Sequence, residues 1–447
     1  MSATDTIYGL SSGNGMAGVA VVRMSGPLAG PVLKDVAGGL PAARVFSLRK
    51  LKNSASGELI DVAVVVWCPG PGSATGEDVA EFQVHGSRAV LAELFSAFGG
   101  VAGVRAAEPG EFTRRAYSNG KMDLVEVEGL ADLLASRTRE QMRQAIGQFS
   151  GEASGVFEGW RAQLIEIIAA VEAAIDFSEE DGVAGAALAN LERQAGRLVA
   201  AMEKALREGR RAQVIRDGVK VVLCGLPNTG KSSLLNVLAQ REAAIVSAIP
   251  GTTRDVIEVQ LDLSGIPVIL TDTAGLRVES PDEIERIGMA RSRLEVAGGD
   301  VVVWVSSPDI EGSEGVEEGV RPDLLIGNKS DLLGGDLRLP RNDLGLPRYA
   351  VSSKSGSGVD AFLSDLAAMA ARCYGSVEQP VVVRDRQVHA IADSIRYLND
   401  AQRHGSHELE LIAADLRGAA DALGRITGRI GVEEWLGAIF SRFCIGK

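Results

Sequence analysis

Gly225-Leu226-Pro227-Asn228-Thr229-Gly230-Lys231-Ser232 is the stretch that decides the fold. It follows an apolar, β-branched run, Val219 to Leu223, and precedes the helix-compatible Leu234 to Leu238. Strand, Gly-rich loop and helix in that order make a phosphate-binding P-loop of the form GxxxxGK[ST]. The glycines let backbone N–H groups wrap phosphates, Lys231 supplies a point charge to the β and γ phosphates, and the Ser232 hydroxyl suits magnesium. Asn228, Thr229, Gly230, Lys231, Ser232 and the following Ser233 are therefore the expected phosphate-side contacts.

Downstream elements narrow the ligand. Asp272-Thr273-Ala274-Gly275 follows the strand-like Val268 to Leu270, which places a carboxylate at a strand end for magnesium and a glycine amide near the γ phosphate. Asn328-Lys329-Ser330-Asp331 follows Leu324 to Ile326, and a carboxylate such as Asp331 can accept from the ring N–H and exocyclic amine that guanine has and adenine lacks. Ser352-Ser353-Lys354 sits where the remaining base-contacting loop belongs. The segment Ser247-Ala248-Ile249-Pro250-Gly251-Thr252-Thr253 lies between P-loop and Asp272, where a switch threonine would bind magnesium. Five ordered elements predict a Ras-like GTP-binding domain. Two residues depart from the Ras pattern. Leu276 stands where a glutamine would orient water, and Asn228 puts an amide oxygen beside the phosphates, able to ligate a hard monovalent cation.

Outward from the P-loop the texture changes twice. Residues 216–379 alternate β-branched runs with helical stretches, as parallel α/β units do. Residues 121–215 have period 3.6, with Trp160, Leu164, Ile167, Ile168, Val171 and Ile175 on one face, and Leu188, Leu191, Leu198 and Met202 suggesting a second helix. Residues 380–447 are helical again. Residues 1–120 carry short strand-like runs, Val19 to Arg23 and Val62 to Trp67, between Gly and Pro clusters. The expected architecture is multidomain: an N-terminal α+β domain, a discontinuous helical domain, and an inserted α/β, P-loop G domain.

Composition agrees. The chain has 447 residues, 46% hydrophobic and 23% charged, and a net charge of −13, which disfavours a surface that coats nucleic acid throughout. Arg114, Arg115 and Lys121, the stretch Arg207 to Arg216, and Arg384 with Arg386 are the candidate local basic sites. No apolar run is long enough to span a bilayer, and the opening MSATDTIYGL has no Lys or Arg before Arg23, which predicts a cytoplasmic protein without membrane association. Four scattered cysteines (Cys68, Cys224, Cys373, Cys444) read as reduced thiols, His85 as structural, and the ending Cys444-Ile-Gly-Lys447 is a poor prenylation signal.

The P-loop with Ser233, Ile249-Pro-Gly-Thr-Thr-Arg-Asp255, Asp272-Thr-Ala-Gly-Leu-Arg277, Glu285-Arg-Ile-Gly288 and Phe443-Cys-Ile-Gly-Lys447 resemble the MnmE (TrmE) tRNA-modification GTPases. So do Asp5-Thr-Ile, Val22-Arg-Met-Ser-Gly26, Thr75-Gly-Glu-Asp-Val79, His85-Gly86 and Pro109-Gly-Glu-Phe112, so the resemblance spans the chain. It implies an N-terminal domain that binds a tetrahydrofolate and dimerises. It implies GTP hydrolysis coupled, with the flavoprotein MnmG (GidA) carrying FAD, to adding an aminomethyl or carboxymethylaminomethyl group at carbon 5 of the wobble uridine of certain tRNAs. It also implies potassium on Asn228, Ser247, the Ile249 carbonyl and Thr252, magnesium on Ser232 and Thr253, and Glu285 as the water-orienting group. The folate, 5-formyltetrahydrofolate or a relative, would meet Arg23, Glu81, Lys121 and Lys447, with Cys444 near the modification chemistry. The alternative is a regulatory GTPase switch acting on ribosomal RNA or a protein without modification chemistry.

Overall fold

The structure is a computed structural model, and it describes residues 5–13, 15–176, 183–241, 243–244, 258–272, 298–317, 319–333, 345–374, 380–405, 408–430, 439–440, 443 and 446. Two compact units are present: Met1–Ala131 with Gln148–Ala184 and His404–Lys447, and Asp132–Gly147 with Gly185–Arg403.

The first unit opens with β1 (Thr6–Leu10), β2 (Ala17–Ser25), α1 (Ala29–Val36), β3 (Ser47–Lys52), β4 (Leu59–Cys68), β5 (Val79–Gly86), α2 (Arg88–Gly99), β6 (Val104–Ala106) and α3 (Glu111–Ser118). The strands form one sheet in the order β3-β4-β5-β2-β1-β6, antiparallel except for the parallel β1–β6 pair. Alternation sends Val22, Met24, Phe82, Val65 and Ala63 to one face, where they are buried with Leu33 of α1 and Leu94 and Phe98 of α2. The opposite face keeps Leu48 (69% exposed) and Val62 (41% exposed) in solvent. On that face, which Phe112 of α3 covers at Ile7, Arg23 stands directly across from Glu81, and Val21 across from Gln83. Helices α4 (Leu124–Ala135), most of it in this unit, α5 (Arg139–Phe149), most of it in the second, and α6 (Glu152–Asp176), again in this one, follow. As the 3.6-residue period predicts, Trp160, Leu164, Ile167 and Val171 are buried on one side of α6, while Ile168 and Ile175 are only half-buried at its margin.

In the second unit α7 (Val183–Asp217) leads into β7 (Val219–Cys224), α8 (Lys231–Ala239), β8 (Glu258–Leu263), β9 (Ile266–Asp272), β10 (Val301–Ser306), β11 (Leu324–Gly327), β12 (Arg348–Ala350) and α9 (Val359–Tyr374). The sheet order is β12-β11-β10-β7-β9-β8, parallel throughout except for the β8–β9 hairpin. Every residue of β10, Val-Val-Val-Trp-Val-Ser, is buried, as a strand covered on both faces requires. Leu234, Leu235 and Leu238 of α8 and Phe362 and Leu366 of α9 complete its core. The P-loop leaves β7 between β10 and β9, where the strand order reverses and α/β sheets open a crevice at their carboxyl ends. Two helices close the chain: α10 (Asp385–Ala401) belongs to this unit, and α11 (Leu409–Thr427) belongs to the first, where it packs along α6.

A candidate nucleotide site and a charged site on the first sheet

The P-loop passes into α8 through Gly230 at φ 88°. A Cβ there would fall 2.3 Å from Asn328 Nδ2, so only glycine lets the base-side loop reach the phosphate-side loop. Asn328 uses that approach: its Nδ2 donates to the carbonyls of Thr229 (3.0 Å) and Gly230 (3.3 Å), and its Oδ1 accepts from Ser353 N (3.2 Å) and Ser353 Oγ (2.7 Å). Three of the stretches singled out in the sequence are thus tied through one buried amide.

Lys231 is 4% exposed and its Nζ donates to the carbonyls of Gly225 (2.8 Å) and Leu226 (3.0 Å). Burial pulls this ammonium below the usual lysine range, opposed by the charge of Asp272. A buried cation whose partners are neutral carbonyls is poised for an anion of higher charge. Ser232 Oγ donates to Asp272 Oδ2 at 2.6 Å, which brings hydroxyl and carboxylate from α8 and β9 together; such hard oxygens fit magnesium. Asp331 is the second residue of a short 3-10 turn (Ser330–Leu333), and the Ser352 hydroxyl, donating at 2.6 Å, holds its carboxyl below the usual range, so it stays an acceptor. Lys354 adds positive charge nearby. Cys224, under the loop, is pushed up to about 12 by burial and is inert at neutral pH.

Of the remaining expected contacts, Ser247, Ala248, Ile249, Pro250, Gly251, Thr252, Thr253, Thr273, Ala274, Gly275, Glu285, Cys444 and Lys447 lie outside the described residues. Asn228 is described and takes φ 63°, a left-handed conformation that asparagine tolerates better than most residues.

On the first sheet, Arg23 donates to Glu81 Oε1 through Nε (3.0 Å) and Nη2 (2.8 Å), both side chains about a quarter exposed. Lys121 lies with its stem against Gly76. Gly446 reaches the same unit's β1: Ser11 Oγ donates to its carbonyl at 2.8 Å, and its Cα is 3.0 Å from where a Cβ on Gly9 would stand. Gly9 is the register partner of Arg23.

One expectation is overturned. Arg115 is not part of a basic surface: it is 6% exposed, and its guanidinium donates to Asp5 Oδ1 (2.9 Å), Glu77 Oε2 (3.1 Å) and Glu111 Oε1 (3.0 Å). Arg105 joins the same cluster, bidentate to Glu111 at 2.6 and 2.9 Å. Three carboxylates around it make an arginine here a fold-internal cation. Arg384 and Arg216 are likewise engaged, with Asp132 (2.6 Å) and the Val383 carbonyl (2.8 Å). The acidic partners sat within the quoted motifs, but nothing in the spacing paired residues 5, 77 and 111 with one arginine. The His85 backbone N–H donates to Asp61, and its ring, 69% exposed, has Nδ1 2.8 Å from the same carboxylate.

The family model described as GTP-binding protein TrmE N-terminus matches residues 6–121, and the one described as MnmE helical domain matches residues 124–444. Among curated relatives, the tRNA modification GTPase MnmE of Bradyrhizobium sp. (strain ORS 278) is 46% identical over 99% of both chains. That of Methylobacterium sp. (strain 4-46) is 47% identical over 99% of this chain and 100% of its own. Among solved structures, the G domain of the T. maritima FeoB iron transporter is 25% identical over 35% of this chain and 99% of its own, at a TM-score of 0.25 that carries no argument. No described helix is long and apolar enough to cross a membrane. Matched over its whole length, and with P-loop, Asp272 and Asn328 gathered as nucleotide hydrolysis needs, the chain belongs to the MnmE family of tRNA modification GTPases.

Proposed function

We propose that this GTPase, in the cytoplasm and as a homodimer, works with a flavoprotein of the MnmG (GidA) kind, which carries the FAD. Together they add an aminomethyl or carboxymethylaminomethyl group to carbon 5 of the wobble uridine of certain tRNAs, the one-carbon unit coming from 5-formyltetrahydrofolate or a related folate. The observation that carries the reading is the partly exposed Arg23–Glu81 pair on the first sheet, in the same chain as a complete P-loop. A carboxylate suits the N–H and amine edge of a pterin, and cations suit the glutamate tail, so Arg23, Glu81, Lys121 and Lys447 fit a folate in donor and charge type. Leu48 and Phe46, 69% and 67% exposed, give this region the apolar surface a second copy would cover.

At the nucleotide, Lys231 and the amides at the start of α8 bind the phosphates, and Asp331 selects guanine. Ser232 and Thr253 would hold magnesium, which supplies charge neutralisation when bound. The Asn228 amide oxygen has the donor chemistry for potassium, with Ser247, the Ile249 carbonyl and Thr252 as its companions. Glu285 orients the attacking water, and Cys444 serves the modification chemistry. We further propose the domain division 1–120, 121–215, 216–379 and 380–447. Mass spectrometry of tRNA nucleosides from cells lacking the gene tests the whole. Aminomethyl and carboxymethylaminomethyl uridines should vanish and return with the wild-type gene but not with Lys231→Ala. Their undiminished persistence would favour a regulatory GTPase without modification chemistry.

A further inference from the structure

Beside the expected guanine site stands a carboxylate that none of the nucleotide motifs contains. Asp309 follows β10, three residues beyond its last, Ser306. Its Oδ2 accepts from Lys329 Nζ at 2.7 Å, and Ser307 Oγ donates to its Oδ1. The same ammonium donates to the Asn228 carbonyl at 2.8 Å. One cation therefore joins three segments: the P-loop, the Asn328–Asp331 loop, and the loop after β10.

Both loop residues it joins are in costly backbone conformations. Asn228 has φ 63° and Lys329 has φ 57°, left-handed values that a non-glycine residue keeps only when its surroundings hold it there. For Asn228 the Lys329 ammonium grips its carbonyl, and for Lys329 the Asp309 carboxylate takes a share of the charge at the tip of the side chain. Without Asp309 the ammonium would have one neutral carbonyl and water as partners, and a flexible four-carbon stem would lose a fixed end. Lys329 also lowers the Asp309 carboxyl below its usual range, so the clamp is charged at any neutral pH.

We propose that Asp309 is a positioning residue of the guanine-nucleotide site, clamping Lys329 onto the P-loop carbonyl of Asn228 so that the base-side and phosphate-side loops are aligned before nucleotide arrives. It touches no nucleotide group itself. This rests on the assignment of Lys329 to the nucleotide site.

The test is the dissociation rate of a fluorescent GDP from the full-length chain. Asp309→Asn keeps size and removes charge; it should speed dissociation about three-fold, the scale of an exposed ion pair, while kcat at saturating GTP holds within about two-fold. The ratio of variant to wild type should fall towards one at about 1 M salt, because exposed pairs are screened there. In a Lys329→Met background, Asp309→Asn should change nothing further, whereas a carboxylate that merely stabilised its own loop would act equally in both backgrounds. An unchanged rate for Asp309→Asn at low salt, or an equal effect in the presence and absence of Lys329, overturns the clamp. If Lys329→Met alone releases GDP as slowly as wild type, the assignment of Lys329 falls instead, which separates the two failures.

Discussion

The nucleotide site and the charged cluster of the first unit hold their polar groups in opposite ways. Around the P-loop the partners are mostly main chain: Lys231 on two carbonyls, and Asn328 on two more and on the Ser353 amide. In the cluster they are mostly other charged side chains, with Arg115 and Arg105 converging on Asp5, Glu77 and Glu111. Main-chain partners survive substitution of their own side chains; charged side chains do not. The first arrangement should therefore degrade gently, while the second fails when one member is removed, since an orphaned buried charge costs more than the pair contributes.

The largest effect should come from Glu111→Gln. Glu111 is 3% exposed; burial opposes its ionisation, but the Arg105 and Arg115 guanidinium groups and the Glu108 N–H overcome this and hold its carboxyl at about 2. A folded-state value below the ordinary 4.5 means the stabilisation is fully present above pH 4.5 and is lost as pH falls towards 2. Denaturant unfolding at pH 7 should show a loss of about 3 kcal/mol for the glutamine variant. The difference from wild type should shrink through that acid window. Equal stability at pH 7 would break the contrast drawn above.

The same contrast explains what could be read without coordinates. Strand, P-loop, Asp272 and Asn328 occur as short consecutive motifs, because a phosphate cradle needs backbone N–H groups from adjacent residues. Period 3.6 likewise placed Trp160, Leu164 and Val171 on the buried side of α6, since a helix repeats its face locally. Arg115 reads as surface charge in the sequence because its partners come from residues 5, 77 and 111, which the β1–β6 and β2–β5 pairings and the docking of α3 bring together. Asp309 escaped for a related reason. In the sequence it belongs to an acidic, Gly-containing stretch that reads as a loop, and its meeting with Lys329 depends on β10 and β11 being parallel neighbours.

Gly446 sharpens the comparison from the side of the first unit, where an element distant in sequence is seated by main-chain contact. Its φ is 96°, and a Cβ would stand 2.0 Å from the Leu10 carbonyl oxygen, so alanine must lift residue 446 off β1. Since Gly9, on which it rests, is paired with Arg23 of the proposed folate site, Gly446→Ala should weaken the proposed binding of 5-formyltetrahydrofolate about ten-fold by calorimetry, the scale of one strained backbone position. GDP affinity should not move. Equal folate affinity would detach Gly446 from the proposed folate site at Arg23.

Ser353→Ala should give the smallest change, and it tests main-chain redundancy directly. The Asn328 Oδ1 that accepts from the Ser353 hydroxyl at 2.7 Å also accepts from the Ser353 N–H at 3.2 Å, and alanine retains that N–H. One neutral hydrogen bond is lost while its acceptor stays satisfied, so the desolvation penalty that makes Glu111→Gln severe does not arise. GDP affinity should fall by about three-fold, with unchanged melting. A fall beyond about thirty-fold would mean that the hydroxyl, rather than the backbone, holds Asn328 against Thr229 and Gly230, and the nucleotide site would then be as dependent on single side chains as the cluster around Arg115.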